Sequence, residues 1–417
     1  MNADSLFSRV VSLSDAPKGA HALVGAQVFT GDEWRTKCAV VIDGARIAAV
    51  TSELALPESL IRIELGGGVL APGFIDLQVN GGGGVLFNDD PTPEAIRTIG
   101  AAHRRGGTTG FLPTLISDCS ARRAAAAAAV RTARAQERSG VLGLHLEGPH
   151  LNPSRRGVHD ARWLGAPTAE DMALLTALAE SSGGAALGVV LSTMAPEVVS
   201  SSQIAALVGK GMRLAIGHSE SSYEQCKEAL AAGMSGFTHL FNAMSPLMGR
   251  APGAVGAALD SAGAWVGVIA DGWHVHEAAL RLAWRCKGAN RLCLTTDAMP
   301  PSASETKSFF LGDERILAQD GRCATVDGRL AGSCLTMIEA IAFCVRRLEI
   351  PLGDCLRMAA ATPAEWLGIA DRHGRIAPGL QADLVLLDDK PSVRATWVGG
   401  RPEPWPIPAS STCGELS

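Results

Sequence analysis

The sequence lacks the features that mark several classes of protein. No uncharged apolar run reaches the roughly 20 residues that cross a bilayer, and Asp4, Ser5 and Arg9 interrupt the N-terminal stretch where a signal peptide would be unbroken. Basic residues form no cluster, because 37 Lys and Arg are spread among 42 Asp and Glu for a net charge of −5. A polyanion-binding face is therefore not expected. We predict a cytoplasmic protein with neither a membrane nor a nucleic acid as partner.

Aromatic residues are few, at 5% with a single tyrosine, and the ten cysteines include no C-x-x-C pair. Most of the cysteines lie in apolar or amphipathic segments, which favours reduced, buried thiols over disulfides or a cysteine metal site. Any metal would then be bound by histidine and carboxylate side chains.

What the sequence does contain is an alternation of short apolar runs with alanine-rich stretches of helical period, typical of α/β proteins. Eight such units predict a parallel (β/α)8 TIM barrel over 69–379, with two closing helices near 335–347 and 352–368. The apolar runs are 69–79, 108–116, 141–146, 187–191, 213–217, 236–241, 265–270 and 292–296, and the helical stretches between them are 92–105, 121–138, 168–181, 197–210, 222–232, 254–261 and 277–286.

The two ends of the chain show strand-like alternation around turns, in 22–65 and again in 382–398. They predict one small discontinuous β-sandwich domain, 1–68 together with 380–417. Two further turn signals, Asp320-Gly321 and Asp327-Gly328, predict a small hairpin insertion after the eighth strand.

Polar residues directly follow the predicted strands, and in a parallel barrel the carboxyl ends of the strands surround the active site. These residues are Gln78, Asn80, His145, Glu147, His218, His239, Asn242, Asp271, His274 and Asp297. Three potential ligands at three strand ends, Glu147, His218 and His239, favour a metal over separate structural roles. A carboxylate and two imidazoles suit Zn²⁺ or Fe²⁺ with a position open for water.

A metal in such a site would lower the pKa of a bound water towards 7. Asp297 is the candidate for taking the proton of that water. Other polar residues have plainer interpretations. His145 shares a strand face with Glu147 and favours packing or a supporting contact. The Gly81 to Gly84 run lacks a phosphate-loop pattern. Arg250, in a Gly/Pro loop, suits either an anion contact or simple solvation.

Six motifs occur in the order known from one family. They are APGFID (71–76), LHLEGP (144–149), GHS (217–219), THLFNAM (238–244), ADGWH (270–274) and TDA (296–298). Over roughly 42–387 the chain resembles the N-acetylglucosamine-6-phosphate deacetylase family of the amidohydrolase superfamily. The resemblance implies a metal-dependent barrel with a β-sandwich from both chain ends. It also implies hydrolysis of the N-acetyl group of N-acetylglucosamine 6-phosphate, giving glucosamine 6-phosphate and acetate.

The resemblance also implies roles for individual residues. Glu147, His218 and His239 would hold one divalent ion per subunit, Zn²⁺ or else Fe²⁺ or another divalent metal, and Asp297 would be general base and then general acid. Residues implied to meet the substrate are Val158, His159, Asn242, Ala243, Arg250, Asp271, His274, Leu330, Ala331 and Gly332. In similar enzymes the arginine reaches across a dimer interface, so a homodimer with Arg250 serving the neighbouring subunit is expected.

One position departs from the superfamily pattern. Many amidohydrolases have His-x-His after the first strand, where this chain has Gln78 and Asn80. Because amides are poor ligands for Zn²⁺ compared with imidazole, one tight metal site is predicted instead of two. With one metal, polarisation of the substrate carbonyl must come partly from a protein donor, for which His159 is the candidate.

Two alternatives remain open at the level of sequence. One is an amidohydrolase acting on N-acetylgalactosamine 6-phosphate or a cyclic amide. The other is a catalytically silent barrel that binds a sugar phosphate or a partner protein.

Overall fold

The computed structural model describes residues 10–11, 13, 17, 19–388 and 390–405 and contains a parallel eight-stranded barrel. Each strand pairs in parallel with the next along the chain, and a bridge between Val79 and Ala298 joins the first to the last. The first to eighth barrel strands are Phe74–Val79, Thr108–Ile116, Gly143–Glu147, Val189–Met194, Arg213–Ile216, Gly236–Phe237, Trp265–Val268 and Leu292–Leu294. The predicted barrel is confirmed.

Ten α-helices in the described residues surround and close the barrel. Polar caps define several of their starts, as at Ser222, whose hydroxyl accepts from the backbone of Gln225 while the Gln225 side chain accepts from Ser222. The helices are α1 (Pro93–Arg104), α2 (Ser120–Arg134), α3 (Ala169–Glu180), α4 (Ser201–Gly209), α5 (Tyr223–Ala231), α6 (Gly253–Asp260), α7 (Glu277–Lys287), α8 (Met337–Leu348), α9 (Leu352–Ala359) and α10 (Ala361–Leu367).

The single helix predicted over 352–368 is wrong, because the chain forms α9 and α10 with a break at Ala360. Pro363 accounts for the break. It has no N–H to donate to the carbonyl of Ala359 four residues earlier, so the helix cannot continue through this point.

The first predicted apolar run, 69–79, also contains two elements. Val69–Pro72 pairs with Leu384–Leu387 in a sheet outside the barrel, and only Phe74–Val79 is a barrel strand. Gly73 separates them at a point of close packing, since a Cβ there would lie 2.0 Å from the Thr109 hydroxyl. Because both halves of the run are apolar, the sequence does not show that they pack in different sheets.

Two sheets from the chain ends pack face to face around a second core that includes Leu23, Ile42, Leu70, Leu384 and Trp397. This confirms the predicted sandwich as an architecture. One sheet comprises Val10–Val11, Ile61–Glu64, His21–Val24, Cys38–Asp43 and Arg46–Ser52, and the other Arg401–Pro404, Val393–Val398, Leu384–Leu387, Val69–Pro72, Gln27–Phe29 and Trp34–Arg35. The domain limits at 68/69 and 379/380 stay a prediction, and residues 1–9 and 406–417 lie outside the described part.

The hairpin predicted after the eighth strand is larger than expected. It is a four-stranded antiparallel sheet, here called the insertion sheet, which packs Ile316, Cys323 and Ala331 against Ile116 and Met299 at the mouth of the barrel. The turn signals located two of its corners but not its outer strands. Its strands are Ser308–Leu311, Glu314–Gln319, Arg322–Thr325 and Leu330–Ser333.

The nine cysteines within the described residues are free, and six of them are buried, as expected for reduced thiols. Within the same residues no helix is both long and apolar enough to cross a membrane.

Candidate metal and catalytic site

A cavity of about 370 Å³ opens at the carboxyl ends of the barrel strands, between the insertion sheet and the loop 148–165 that follows the third strand. This is where the barrel topology places a site. Its lining residues are Asn80, Ile116, Glu147, Ser154, Arg155, Gly157, Val158, His159, His218, His239, Asn242, Ala243, Ile269, His274, Asp297, Met299, Arg329, Leu330 and Gly332.

Glu147, His218 and His239 converge in this cavity, and a donor atom from each lies within 4.8 Å of the other two. The Glu147 Oε1 atom is 2.9 Å from His239 Nε2 and 3.3 Å from His218 Nε2, and the two Nε2 atoms are 3.1 Å apart. Ligands about 2.1 Å from a tetrahedral ion are about 3.4 Å from one another, so these spacings suit a divalent metal.

The tautomer of His218 supports the same conclusion. Its Nδ1 lies 2.8 Å from the carbonyl oxygen of Arg155, which can only accept, so Nδ1 carries the proton and donates. Burial lowers the pKa of His218 to about 4, and the ring is neutral at pH 7. Its Nε2 lone pair therefore faces the Glu147 carboxylate, an arrangement that a cation between them satisfies.

Glu147 is the electrostatic centre of the cluster. Burial opposes its ionisation, but the His159 and His239 rings beside it hold the pKa of the carboxyl well below its usual range. The Glu147 carboxylate also accepts a hydrogen bond from Gln78 Nε2 at 3.0 Å. The charge needed to attract a metal is thus present at neutral pH.

Asp297 lies beside this cluster without being part of it. Its Oδ1 accepts from Gln78 Nε2 at 2.9 Å and from Asn80 Nδ2 at 2.6 Å. Burial, reinforced by the Glu147 charge, raises the pKa of Asp297 to about 7. A carboxyl with a pKa near neutrality can both take and return a proton.

The amides at the end of the first strand therefore act as hydrogen-bond donors in this structure. The Gln78 side chain bridges the Glu147 and Asp297 carboxylates, and Asn80 holds Asp297 in place. Because the NH2 groups point towards the carboxylates, these residues separate the base from the metal ligands. The expectation of one metal ion instead of two stays a prediction.

Backbone geometry that the sequence does not reveal aims these side chains. His218, His239 and Asp297 all have positive φ, at 49°, 31° and 50°. Such values are uncommon in residues other than glycine and occur at functional sites. Each of these residues follows a barrel strand within three residues, and its side chain lines the cavity.

His159 reaches the same cavity from the loop 148–165. Its Nδ1 lies 2.8 Å from the Ser117 hydroxyl, and its Nε2 lies 3.6 Å from Glu147 Oε2. Sequence reasoning did not select Ser117, although it directly follows the second strand and the strand-end rule could have found it. The serine orients the ring so that Nε2 points into the cavity.

The other residues predicted to contact the substrate do not all line the cavity. Val158, Asn242, Ala243, His274, Leu330 and Gly332 line the cavity, while Asp271 lies behind His274 with its Oδ2 2.6 Å from His274 Nδ1. Ala331, in the last strand of the insertion sheet, is wholly buried and does not line the cavity. Arg250 is exposed and does not line this cavity.

The remaining histidines near the barrel have structural contacts. The two nitrogens of His145 lie 3.1 Å from the Thr114 hydroxyl and 2.8 Å from that of Thr193. Burial lowers the pKa of His145 to about 4. His103 Nε2 lies 2.9 Å from the Gly81 carbonyl. Neither belongs to the metal cluster.

Comparison with known proteins agrees with this geometry. Residues 69–407 match the Amidohydrolase family, and residues 21–70 match the NagA composite domain. The chain belongs to the amidohydrolase family. It is therefore a hydrolase, and the resemblance inferred from its six motifs is confirmed.

Its similarity to characterised members extends over almost the whole chain. It is 40% identical to the N-acetylgalactosamine-6-phosphate deacetylase of Shewanella sp. (strain ANA-3), covering 90% of this chain and 94% of that one. It is 34% identical to the N-acetylglucosamine-6-phosphate deacetylase of Haemophilus influenzae, covering 91% and 98%. The crystal structure of N-acetylglucosamine-6-phosphate deacetylase from Pasteurella multocida superposes with a TM-score of 0.88 at 35% identity, covering 93% and 100%.

Proposed function

We propose that this amidohydrolase removes the N-acetyl group of N-acetylglucosamine 6-phosphate, giving glucosamine 6-phosphate and acetate. The observation that carries the proposal is the convergence of Glu147, His218 and His239 on one point, with Asp297 beside them in the cavity at the barrel mouth. The names and near-complete coverage of the relatives support the substrate class.

Glu147, His218 and His239 would hold one divalent ion, and we propose Zn²⁺, with Fe²⁺ as the alternative. Two imidazoles and one carboxylate are a ligand set of catalytic zinc sites. When bound, such an ion lowers the pKa of a water molecule and polarises a carbonyl group. Metal analysis of protein purified without chelator identifies the ion.

The remaining steps are assigned to this chain's own residues. The carboxylate of Asp297 takes a proton from the attacking water and returns it to the amide nitrogen of the substrate as the C–N bond breaks. His159, oriented by Ser117, donates from Nε2 to the developing negative charge on the acetyl oxygen. Gln78 and Asn80 keep Asp297 beside the water.

The sugar phosphate would extend from the metal towards His274 and the backbone of Asn242 and Ala243, which line the cavity. Asp271 holds the His274 ring through Nδ1, leaving Nε2 for the phosphate.

A doubly charged substrate does not cross membranes, and the free thiols suit a reducing compartment, so we place the enzyme in the cytoplasm.

The test is acetate release. Purified enzyme with metal bound is expected to release one acetate per N-acetylglucosamine 6-phosphate. The epimer N-acetylgalactosamine 6-phosphate, which differs only at C4, is assayed in parallel because relatives of both names are similar to this chain. The ratio of the two kcat/KM values decides the preference. Release from neither sugar phosphate by metal-loaded enzyme would overturn the proposal.

Arg250 is proposed to reach the active site of a second subunit in a homodimer. It lies in a loop whose neighbours Leu247 and Met248 are more than half exposed, and it contacts no part of its own subunit's cavity. Exposed apolar side chains around an arginine are typical of a subunit interface. Arg250→Ala is expected to raise KM about 10- to 100-fold, the loss of a charge-assisted hydrogen bond to phosphate.

A subunit-mixing experiment tests the direction of that contact. Coexpressed Arg250→Ala and Asp297→Asn chains form mixed dimers in which one site keeps both its own Asp297 and its partner's Arg250. About a quarter of all sites should then regain wild-type activity at low substrate. Arg285→Ala, an exposed arginine of α7, is the control. No recovery would place Arg250 in its own subunit's site, and an unchanged KM would remove it from phosphate binding.

A further inference from the structure

Arg329 is a cation at the rim of the cavity, and neither the proposed metal binding nor the proposed substrate binding gives it a role. It directly precedes the last strand of the insertion sheet and lines the cavity. Its Nη1 donates to the carbonyl oxygen of Gly157 at 2.9 Å, and its Nη2 donates to Glu314 Oε1 at 2.6 Å. One guanidinium thus joins the insertion sheet to the loop 148–165.

The point of attachment lies between two groups on which the site depends. Two residues before Gly157, the carbonyl of Arg155 sets the tautomer of His218 through the 2.8 Å contact to Nδ1. Two residues after it, His159 enters the cavity. Gly157 itself has φ of 56° and lies beside His218, where a Cβ would be in ordinary van der Waals contact, 3.6 Å from the ring Cε1.

The other polar contacts that the structure describes for residues 155–159 do not involve the insertion sheet, and one of them is the buried contact between His159 Nδ1 and the Ser117 hydroxyl. Arg156 Nη1 donates to the His159 carbonyl at 2.9 Å, within the loop itself. Arg155 forms an ion pair with Glu220, which ties the loop to the chain after the fifth barrel strand and not to the insertion sheet. The Arg329–Glu314 pair is about as exposed, so the contact that matters for the loop is the bond from Arg329 to the Gly157 carbonyl. Val158 adds an apolar contact with the insertion sheet. Arg329 supplies a directional, charge-assisted bond from that sheet to the loop.

We infer that Arg329 is a positioning residue that latches the insertion sheet to the loop 148–165 and thereby holds His218 and His159 in their working orientations. Glu314 keeps the guanidinium aimed at Gly157 by occupying its second nitrogen. The role rests on the proposed metal site and on the proposed part of His159. A lysine at 329 would present a single nitrogen where guanidinium offers two at a fixed spacing, so it would reproduce the pair of bonds less well.

The experiment compares Arg329→Ala with Arg315→Ala, a matched control on the same sheet. Arg315 is exposed and only approaches the Ser308 hydroxyl, at 3.4 Å. Supporting contacts to metal-bound histidines change metal affinity about 10- to 100-fold. Arg329→Ala should therefore speed metal loss to a chelator and lower kcat, each about tenfold or more, with a smaller change in KM. Arg315→Ala should match wild type.

Two further variants keep the test informative if Arg329→Ala folds poorly. Arg329→Lys should recover part of the metal retention, and Glu314→Gln, which keeps the bond to Gly157, should give an intermediate rate of metal loss. Circular dichroism checks that each variant is folded. Identical metal loss and kcat for Arg329→Ala and Arg315→Ala would overturn the inference.

A second result would also overturn it. An increase in KM with unchanged metal loss and kcat would mean that Arg329 contacts the substrate directly. Metal loss is measured without substrate, so the positioning role of Arg329 is tested independently of the deacetylase activity. Failure of the wild-type enzyme to release acetate, by contrast, concerns only the proposed function.

Discussion

Asp297→Asn is expected to lower kcat about 1,000-fold, within the range that general acid–base groups contribute. The asparagine can neither take the proton of the water nor return one to the leaving nitrogen. It has nearly the same size, and its side-chain oxygen can still accept the hydrogen bonds that Gln78 and Asn80 donate to Oδ1. The substitution therefore removes the chemistry of this position while leaving its neighbours in place.

Metal content is the measurement that makes this result specific. Asp297 is not one of the three converging ligands, so Asp297→Asn should retain the wild-type equivalent of metal. Asp371→Asn serves as the control and should keep full activity. Asp371 is exposed and lies in the segment that connects α10 to the sandwich. If Asp297→Asn kept more than about a tenth of kcat, the assignment of Asp297 as general base would be wrong.

Replacing a ligand should have a different signature, in which the metal itself is lost. His218→Gln or Glu147→Gln is expected to weaken metal binding more than about 100-fold, beyond what loss of a supporting contact causes. Glu147 should show the larger effect. Its carboxylate carries the negative charge at the centre of the cluster, and three histidine rings surround it.

Metal analysis after dialysis and activity before and after added Zn²⁺ measure this effect. His373→Gln is the matched control, because His373 is bonded to Asp383 outside the cavity. Wild-type enzyme stripped by chelator should recover activity on addition of metal, whereas the ligand variants should recover only at much higher metal concentration. Full metal retention by His218→Gln would contradict the proposed ligand set.

The strand-end rule explains why so much of this site could be predicted. In a parallel barrel all carboxyl ends lie on one face, so residues far apart in sequence, such as Glu147, His218, His239 and Asp297, must meet there once the strands are recognised. The rule depends only on strand order. It therefore tolerated errors in strand bounds, and the sixth strand, predicted over 236–241, is only Gly236–Phe237.

Residues that reach the cavity from loops were harder to predict. His159 was selected through family resemblance and not from its spacing, and Ser117 was overlooked although it follows a strand. Arg329 carries no signal in the sequence beyond a nearby turn. Its contact with Gly157 joins positions 172 residues apart in the chain, and no local pattern encodes such a contact.

By itself, the sequence determined the barrel, the sandwich from both chain ends, and the chemical types and order of the groups at the barrel mouth. Periodicity and strand order are local properties, and they suffice for these. Only the tertiary structure decided that Val69–Pro72 leaves the barrel, that the insertion is a sheet covering the cavity, and how His218 is oriented. These depend on which surfaces meet across the chain, and packing between distant segments sets that.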